Sequence, residues 1–151
     1  MKLKGAVTVN APQERVWRTF VDPKQFCRVM PGCENAKQLD ATHYEAILTV
    51  KVQFMTIRTK ALGTVLEAEE PRHLVGEMVG EPRAMAGAFR ARVTIDLVPV
   101  NNGTNVQYIM DITMLGRLAS LGEAIVRSTA RRISMEFADN ISKQFNNPHG
   151  P

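Results

Sequence analysis

The sequence predicts a single α+β domain in which a curved antiparallel sheet wraps around one long C-terminal helix and leaves room between them for an apolar ligand. Three observations predict it. Two short amphipathic stretches near the start close on the turn Met30-Pro31-Gly32-Cys33-Glu34. Most of the chain from residue 43 to residue 114 alternates apolar and polar residues with the period of a strand. A long amphipathic stretch then runs from Leu118 to Phe145. A chain of 151 residues has the size of one domain and buries about two-thirds of the surface its unfolded form exposes. Residues 1–145 therefore read as one domain, and residues 146–151, which carry no periodicity, as a disordered tail.

The elements follow in order. Leu3, Gly5, Val7 and Val9 share one face of a first strand, with Lys2, Lys4, Ala6 and Thr8 on the other. Asn10 offers a helix N-cap and Pro12 suits a first turn; Val16, Trp17, Phe20 and Val21 then recur at helical spacing until Asp22-Pro23 stops them. A second short helix runs from Pro23 to Val29, and Pro31-Gly32 turns the chain into the sheet. From His43 to Phe54, Tyr44, Ala46, Leu48, Val50, Val52 and Phe54 form an inward face. Ile57 to Glu69 is strand-like but less regular, and Pro71-Arg72 marks a turn. Leu74, Gly76, Met78 and Gly80 share a face of the next strand, which Glu81-Pro82-Arg83 breaks. Phe89, Ala91, Val93, Ile95 and Leu97 give the clearest alternation, Asn101-Asn102-Gly103 a hairpin, and Val106, Tyr108, Met110, Ile112 and Met114 the face of a last strand. Gly116 ends the sheet, and the final helix carries the apolar track Leu118, Leu121, Ile125, Thr129, Ile133, Phe137, Ile141 and Phe145.

Side-chain size along that helix carries the functional expectation. Its first half holds Gly116, Ala119, Ser120, Gly122 and Ala124, and its second half Ile133, Met135, Phe137, Ile141 and Phe145. Small residues facing a concave sheet leave volume, and ligand pockets are commonly apolar clefts of about 300 to 1,000 Å³. Met30, Met55, Met78, Met85, Met110, Met114 and Met135 add flexible thioethers suited to an adaptable wall. The expected cavity residues are Phe26, Met30, Val52, Met78, Phe89, Tyr108, Met110, Leu121 and Ile125, with Tyr108 or Thr129 as a hydrogen-bond partner for a polar head group.

Little points to catalysis. No phosphate-cradling glycine loop is present. His43, His73 and His149 stand isolated, without a readable His–carboxylate or His–Cys pairing, and Glu67-Ala68-Glu69-Glu70 reads as a solvated strand end. Cys27 and Cys33 are too few for a disulfide framework or a metal site, and free thiols are the expectation; a bridge requires the intervening turn to bring their Cα atoms within about 7 Å. No residue is expected to do covalent or acid–base work, and no metal or covalent cofactor is expected. The net charge of +4 favours acidic partners weakly. Lys51, Arg58, Lys60, Arg90 and Arg92 are expected on the outer face of the sheet, where they could meet an anionic lipid surface. Nucleic acid is not expected, because the aromatics fall on inner faces rather than among the basic residues. Without a secretory signal or a long apolar run, the protein is expected in the cytoplasm.

Specific strings carry a resemblance. Met1-Lys2-Leu3-Lys4-Gly5 through Val9, Pro12 to Val16-Trp17, Asp22-Pro23 and Met30-Pro31-Gly32-Cys33 resemble the carbon monoxide dehydrogenase CoxG family of the START-like SRPBCC superfamily. Gly116 to Gly122, followed by Arg131-Arg132-Ile133 and Phe137, resembles that family's last helix, so the likeness spans residues 1–145. It implies the helix-grip (START/Bet v 1-like) fold and a non-catalytic accessory protein of a carbon monoxide dehydrogenase-type molybdenum hydroxylase. Such a protein binds a hydrophobic ligand, a respiratory quinone or lipid, and links the enzyme to the membrane. Fuller family members carry a linker and a C-terminal membrane anchor, whereas this chain ends soon after its last helix, so only transient peripheral contact with the inner membrane is expected. The alternatives are an aromatase/cyclase-like enzyme on the same fold, and an assembly or docking factor with a filled core.

Overall fold

The structure, a computed structural model, describes residues 1–83 and 86–146. Strand β1 (Lys2–Val9) leads into two short helices, α1 (Gln13–Val21) and α2 (Pro23–Val29). Six strands follow: β2 (Cys33–Gln38), β3 (His43–Val52), β4 (Met55–Glu69), β5 (His73–Pro82), β6 (Gly87–Val100) and β7 (Gly103–Gly116). A 3₁₀ turn (Arg117–Leu121) then precedes α3 (Glu123–Asn146). All seven strands form one antiparallel sheet in the order β1-β7-β6-β5-β4-β3-β2. This is the expected α+β helix-grip architecture.

Cross-strand register explains why the alternation is readable. Phe89, Ala91, Val93, Ile95 and Leu97 stand opposite Met114, Ile112, Met110, Tyr108 and Val106, so the apolar positions of β6 and β7 fall on one concave face. On β5, Leu74, Gly76, Met78 and Gly80 continue that face. The irregularity of the fourth strand has a cause: the register shifts between Val65 and Glu67, a bulge that reverses inside and outside and leaves Leu66 exposed. The short strand β2, of which the sequence shows only the turn into the sheet, is likewise interrupted between Glu34 and Lys37.

Four local expectations are corrected. Asn10 does not cap α1: the cap is Pro12, whose carbonyl accepts from the amides of Arg15 and Val16, while the Asn10 amide donates to Asn146 Oδ1 at 2.7 Å. Phe54 is fully exposed, because β3 ends at Val52 and residues 53 and 54 form the two-residue turn into β4, with Gln53 at φ 55°. Asn146 belongs to α3 rather than to a disordered tail; residues 147–151, including His149, lie outside the described residues, as does Met85.

The fourth correction concerns the cysteines, which are bonded, Cys27 to Cys33. The reason lies in the turn between them. Gly32 adopts φ 72°, and the Cys33 amide donates to the Met30 carbonyl, folding the chain back until the two Cα atoms are 5.1 Å apart.

The filled part of the interior lies at one end. Val9, Val16, Trp17, Leu97 and Val106 pack there with Ile141 and Phe145 from the last turns of α3. Thr104 closes this end by donating its hydroxyl to the Ala11 carbonyl. The first half of α3 spans a different environment.

Candidate functional site

Between α3 and the concave face of the sheet lies an apolar cavity of about 180 Å³. Strands β3 to β7 contribute Leu48, Val50, Val52, Ile57, Met78, Phe89, Met110 and Met114, among others; α2 contributes Phe26, and Met30 follows it. The helical wall comprises Leu118 and Leu121 from the 3₁₀ turn and Val126, Thr129, Ala130, Ile133 and Phe137 from α3. The only polar side chains in the lining are Thr59, Thr129 and Tyr108. No ionisable acid, base or histidine faces it among the described residues.

Of the nine residues expected in the cavity, the structure brings eight together there: Phe26, Met30, Val52, Met78, Phe89, Tyr108, Met110 and Leu121. Ile125 is outside the lining; Val126 and Ala130 hold the place assigned to it. Of the methionines, Met30, Met78, Met110 and Met114 line the wall, whereas Met55 and Met135 are exposed.

The origin of the void also differs from expectation. Gly116, Ala119, Ser120, Gly122 and Ala124 are all exposed, and a Cβ on Gly122 would touch nothing within 4 Å. Those small residues do not face the sheet. Gly122, at φ 89°, instead breaks the path between the 3₁₀ turn and α3. The room comes from Ala130 and Thr129 on the helix facing a sheet held open by its curvature.

Two glycines seat aromatic rings in the wall. Gly80 lies opposite Phe89 on the neighbouring strand, and Gly5 lies opposite Tyr108. In each case the ring covers the bare backbone where a Cβ would otherwise stand. Tyr108 meets Phe137 edge-on at 5.7 Å, and its hydroxyl pairs with Ser134 Oγ at 2.9 Å. That hydroxyl is therefore engaged within the protein, leaving Thr129 and Thr59 as the less committed polar groups.

A second chamber of about 150 Å³ lies under α1 and α2, floored by β3 to β5. It shares Phe26, Met78, Val93 and Ile95 with the first. At its edge Tyr44 donates to the Val21 carbonyl at 3.2 Å; burial, aided by the negative charge of Asp22, raises its pKa above the usual phenol value.

Outside the cavity the charges are more paired than expected. Lys60 approaches Glu45 at 3.8 Å, Arg58 approaches Glu34 at 3.8 Å and Arg90 approaches Glu77 at 4.0 Å, so the outer face is mixed rather than a uniform basic band. The hydrogen bond from Lys37, which also sits 2.9 Å from Glu45, holds that carboxyl below its usual pKa. The histidines are not isolated either. His73 stands opposite Asp96 in the β5–β6 register, with Nδ1 2.6 Å from Asp96 Oδ1 and Nε2 3.2 Å from Glu67. Those bonds raise its pKa, Asp96 contributing most. His43 Nδ1 lies 2.8 Å from Asp40, whose carboxyl is lowered first by the Thr42 amide and then by His43. Both clusters sit away from the cavity.

Comparison with solved structures places this architecture among known folds. A conserved protein from Geobacillus kaustophilus matches with a TM-score of 0.83 and 23% identity, covering 95% of this chain and 93% of that one. Zhui aromatase/cyclase from Streptomyces sp. R1128 matches with a TM-score of 0.71 and 12% identity over 100% of this chain and 99% of that one. An uncharacterized protein from Rhizobium leguminosarum matches at 0.71 and 10% identity, covering 94% and 91%. At these identities the likeness establishes the START/Bet v 1-like fold alone. A comparison with curated proteins found no match. The carbon monoxide dehydrogenase CoxG family matches residues 5–146, nearly the whole domain built around the cavity, and the chain belongs to that family.

Proposed function

We propose that this protein is a non-catalytic carrier of an apolar small molecule, a respiratory quinone or another lipid, serving a carbon monoxide dehydrogenase-type molybdenum hydroxylase. Family membership implies association with a carbon monoxide dehydrogenase system. The observation that carries the carrier reading is the cavity itself, an apolar space with no ionisable side chain among its described lining residues. Burying ligand hydrocarbon there is worth about 25 cal/mol per Å², less the cost of ordering it. An aromatase/cyclase reaction needs acid–base groups aimed at the substrate, and the lining offers only two threonines and an engaged tyrosine.

No helix among the described residues is long and apolar enough to cross a membrane. Transient contact with an anionic bilayer belongs to the same reading. Phe54 is fully exposed on the β3–β4 turn, between Val52 and Ile57 of the cavity wall, and Lys51 and Arg58 flank it. An exposed aromatic ring beside cations suits the headgroup region. The proposed location is the cytoplasm, at the inner face of the membrane.

Native mass spectrometry of the purified protein, followed by organic extraction, tests the proposal. A co-purifying isoprenoid quinone or lipid is the expected result. Repeated isolation of empty protein that also takes up no added quinone analogue sinks the carrier reading and leaves a docking factor.

A further inference from the structure

We propose that the space beneath α1 and α2 is a second chamber of the same site, holding the far end of a hydrocarbon tail whose nearer part lies in the first cavity; this rests on the carrier reading. Three observations carry it. The chambers share a wall made of Phe26, Met78, Val93 and Ile95, so the far chamber begins where the near one ends. The first, at about 180 Å³, is small for a ligand site, and the second adds about 150 Å³, bringing the pair to the lower end of the usual range. The floor of the second is formed by Ala46, Ala61, Gly63 and Gly76, whose short side chains leave depth under Phe20 and Pro23.

The chemistry of the far chamber suits a tail and not a head group. Its tyrosine already donates to the Val21 carbonyl. The carboxylates at its edge are also engaged, Glu45 by Lys37 and Glu77 by Arg90. A quinone ring placed there would find few free partners, whereas saturated or isoprenoid carbon loses nothing. The passage runs between a rigid group and a soft one. Phe26 sits on α2, which Asp22 caps at one end and the Cys27–Cys33 bond ties to β2 near the other. Met78 opposite it has three side-chain torsions and can swing aside without moving the strand.

Gly63 and Gly76 provide a test that spares the fold. A Cβ at Gly63 would have its nearest neighbour at 3.9 Å and one at Gly76 at 3.6 Å, ordinary contact distances. Valine at both positions also suits a strand better than glycine. Binding of ubiquinone analogues of increasing isoprenoid length is measured by calorimetry for the wild type, for Gly63→Val/Gly76→Val and for Ala130→Leu, which narrows the first chamber. The wild type should bind long-tailed analogues more tightly than the single-isoprene one. The double valine variant should lose about tenfold for the long analogues, as expected when an isoprene unit leaves an apolar site, and keep its affinity for the short one. Ala130→Leu should weaken both. If the wild type binds the short analogue and gains nothing from added length, or the valines weaken every analogue equally, the second chamber is overturned while the carrier reading stands. If the wild type binds no analogue, the carrier reading falls and takes this inference with it.

Discussion

A ring lying across a glycine is sensitive to a single methyl group. Adding a Cβ at position 80 would overlap Phe89 and press on the Thr59 methyl, so Gly80→Ala should destabilise by about 1–3 kcal/mol, as overpacking does in cores. The shift in urea midpoint measures it, and an unchanged midpoint would mean that the ring moves freely. His73 offers a test by pH. Its pKa is raised above the usual 6.5 by Asp96 and Glu67, so its contribution is fully present below about pH 6.5 and is lost as pH rises through the raised folded-state value. Wild-type stability should therefore fall over that window, and His73→Gln should flatten the fall; urea unfolding across pH reads both. A variant with the wild-type slope would assign the pH dependence to other groups.

The α2 segment shows how a short element is held. Seven residues make a marginal helix on their own, and α2 is fastened at both ends. Asp22 Oδ1 accepts from the amides of Lys24 at 2.9 Å and Gln25 at 3.3 Å, so Asp22→Ala should cost about 1 kcal/mol, read by chemical denaturation. At the other end the Cys27–Cys33 bond closes a short loop. Its removal by Cys27→Ser/Cys33→Ser should lower stability by about 2 kcal/mol on the chain-entropy estimate. Equal midpoints for the wild type under oxidising and reducing conditions would show that the bond adds nothing to the folded state. Because Phe26 precedes Cys27, both changes loosen a residue shared by the two chambers.

At the scale of the molecule, one end is packed and the other is hollow. Ile141 and Phe145 fill the end near Val9 and Leu97, whereas Val126 and Ala130 face the cavity. Unfilled apolar space costs stability, and a ligand that fills it returns stability through mass action. Quinone analogue at a hundred times its Kd should stabilise by about 2.7 kcal/mol and raise Tm by about 5–10 °C for a chain of this size. Differential scanning fluorimetry reads this directly; a flat Tm at saturating analogue would mean that the hollow end does not take it up.

The sequence by itself determined the element order, the inward face of most strands and most of the cavity wall. Strand alternation is local: once Phe89 points in, Ala91 and Val93 must follow, whatever the partner strand. The family strings around Pro31-Gly32-Cys33 were legible for the same reason. Tertiary structure decided what depends on distant neighbours or on rotation. Nothing near His73 announces Asp96, which register brings to it from 23 residues away. Free thiols gave way to a disulfide because one turn closed the distance between Cys27 and Cys33. Along the last helix, a track of every fourth residue drifts by about 40° per step at 3.6 residues per turn. Ile125 therefore leaves the face held by Val126, Ala130, Ile133 and Phe137, whose mixed steps of four and three residues keep to one side. The exposure of Gly122 and its small neighbours has the same physical origin: size is written in the sequence, but direction is set only when the helix docks.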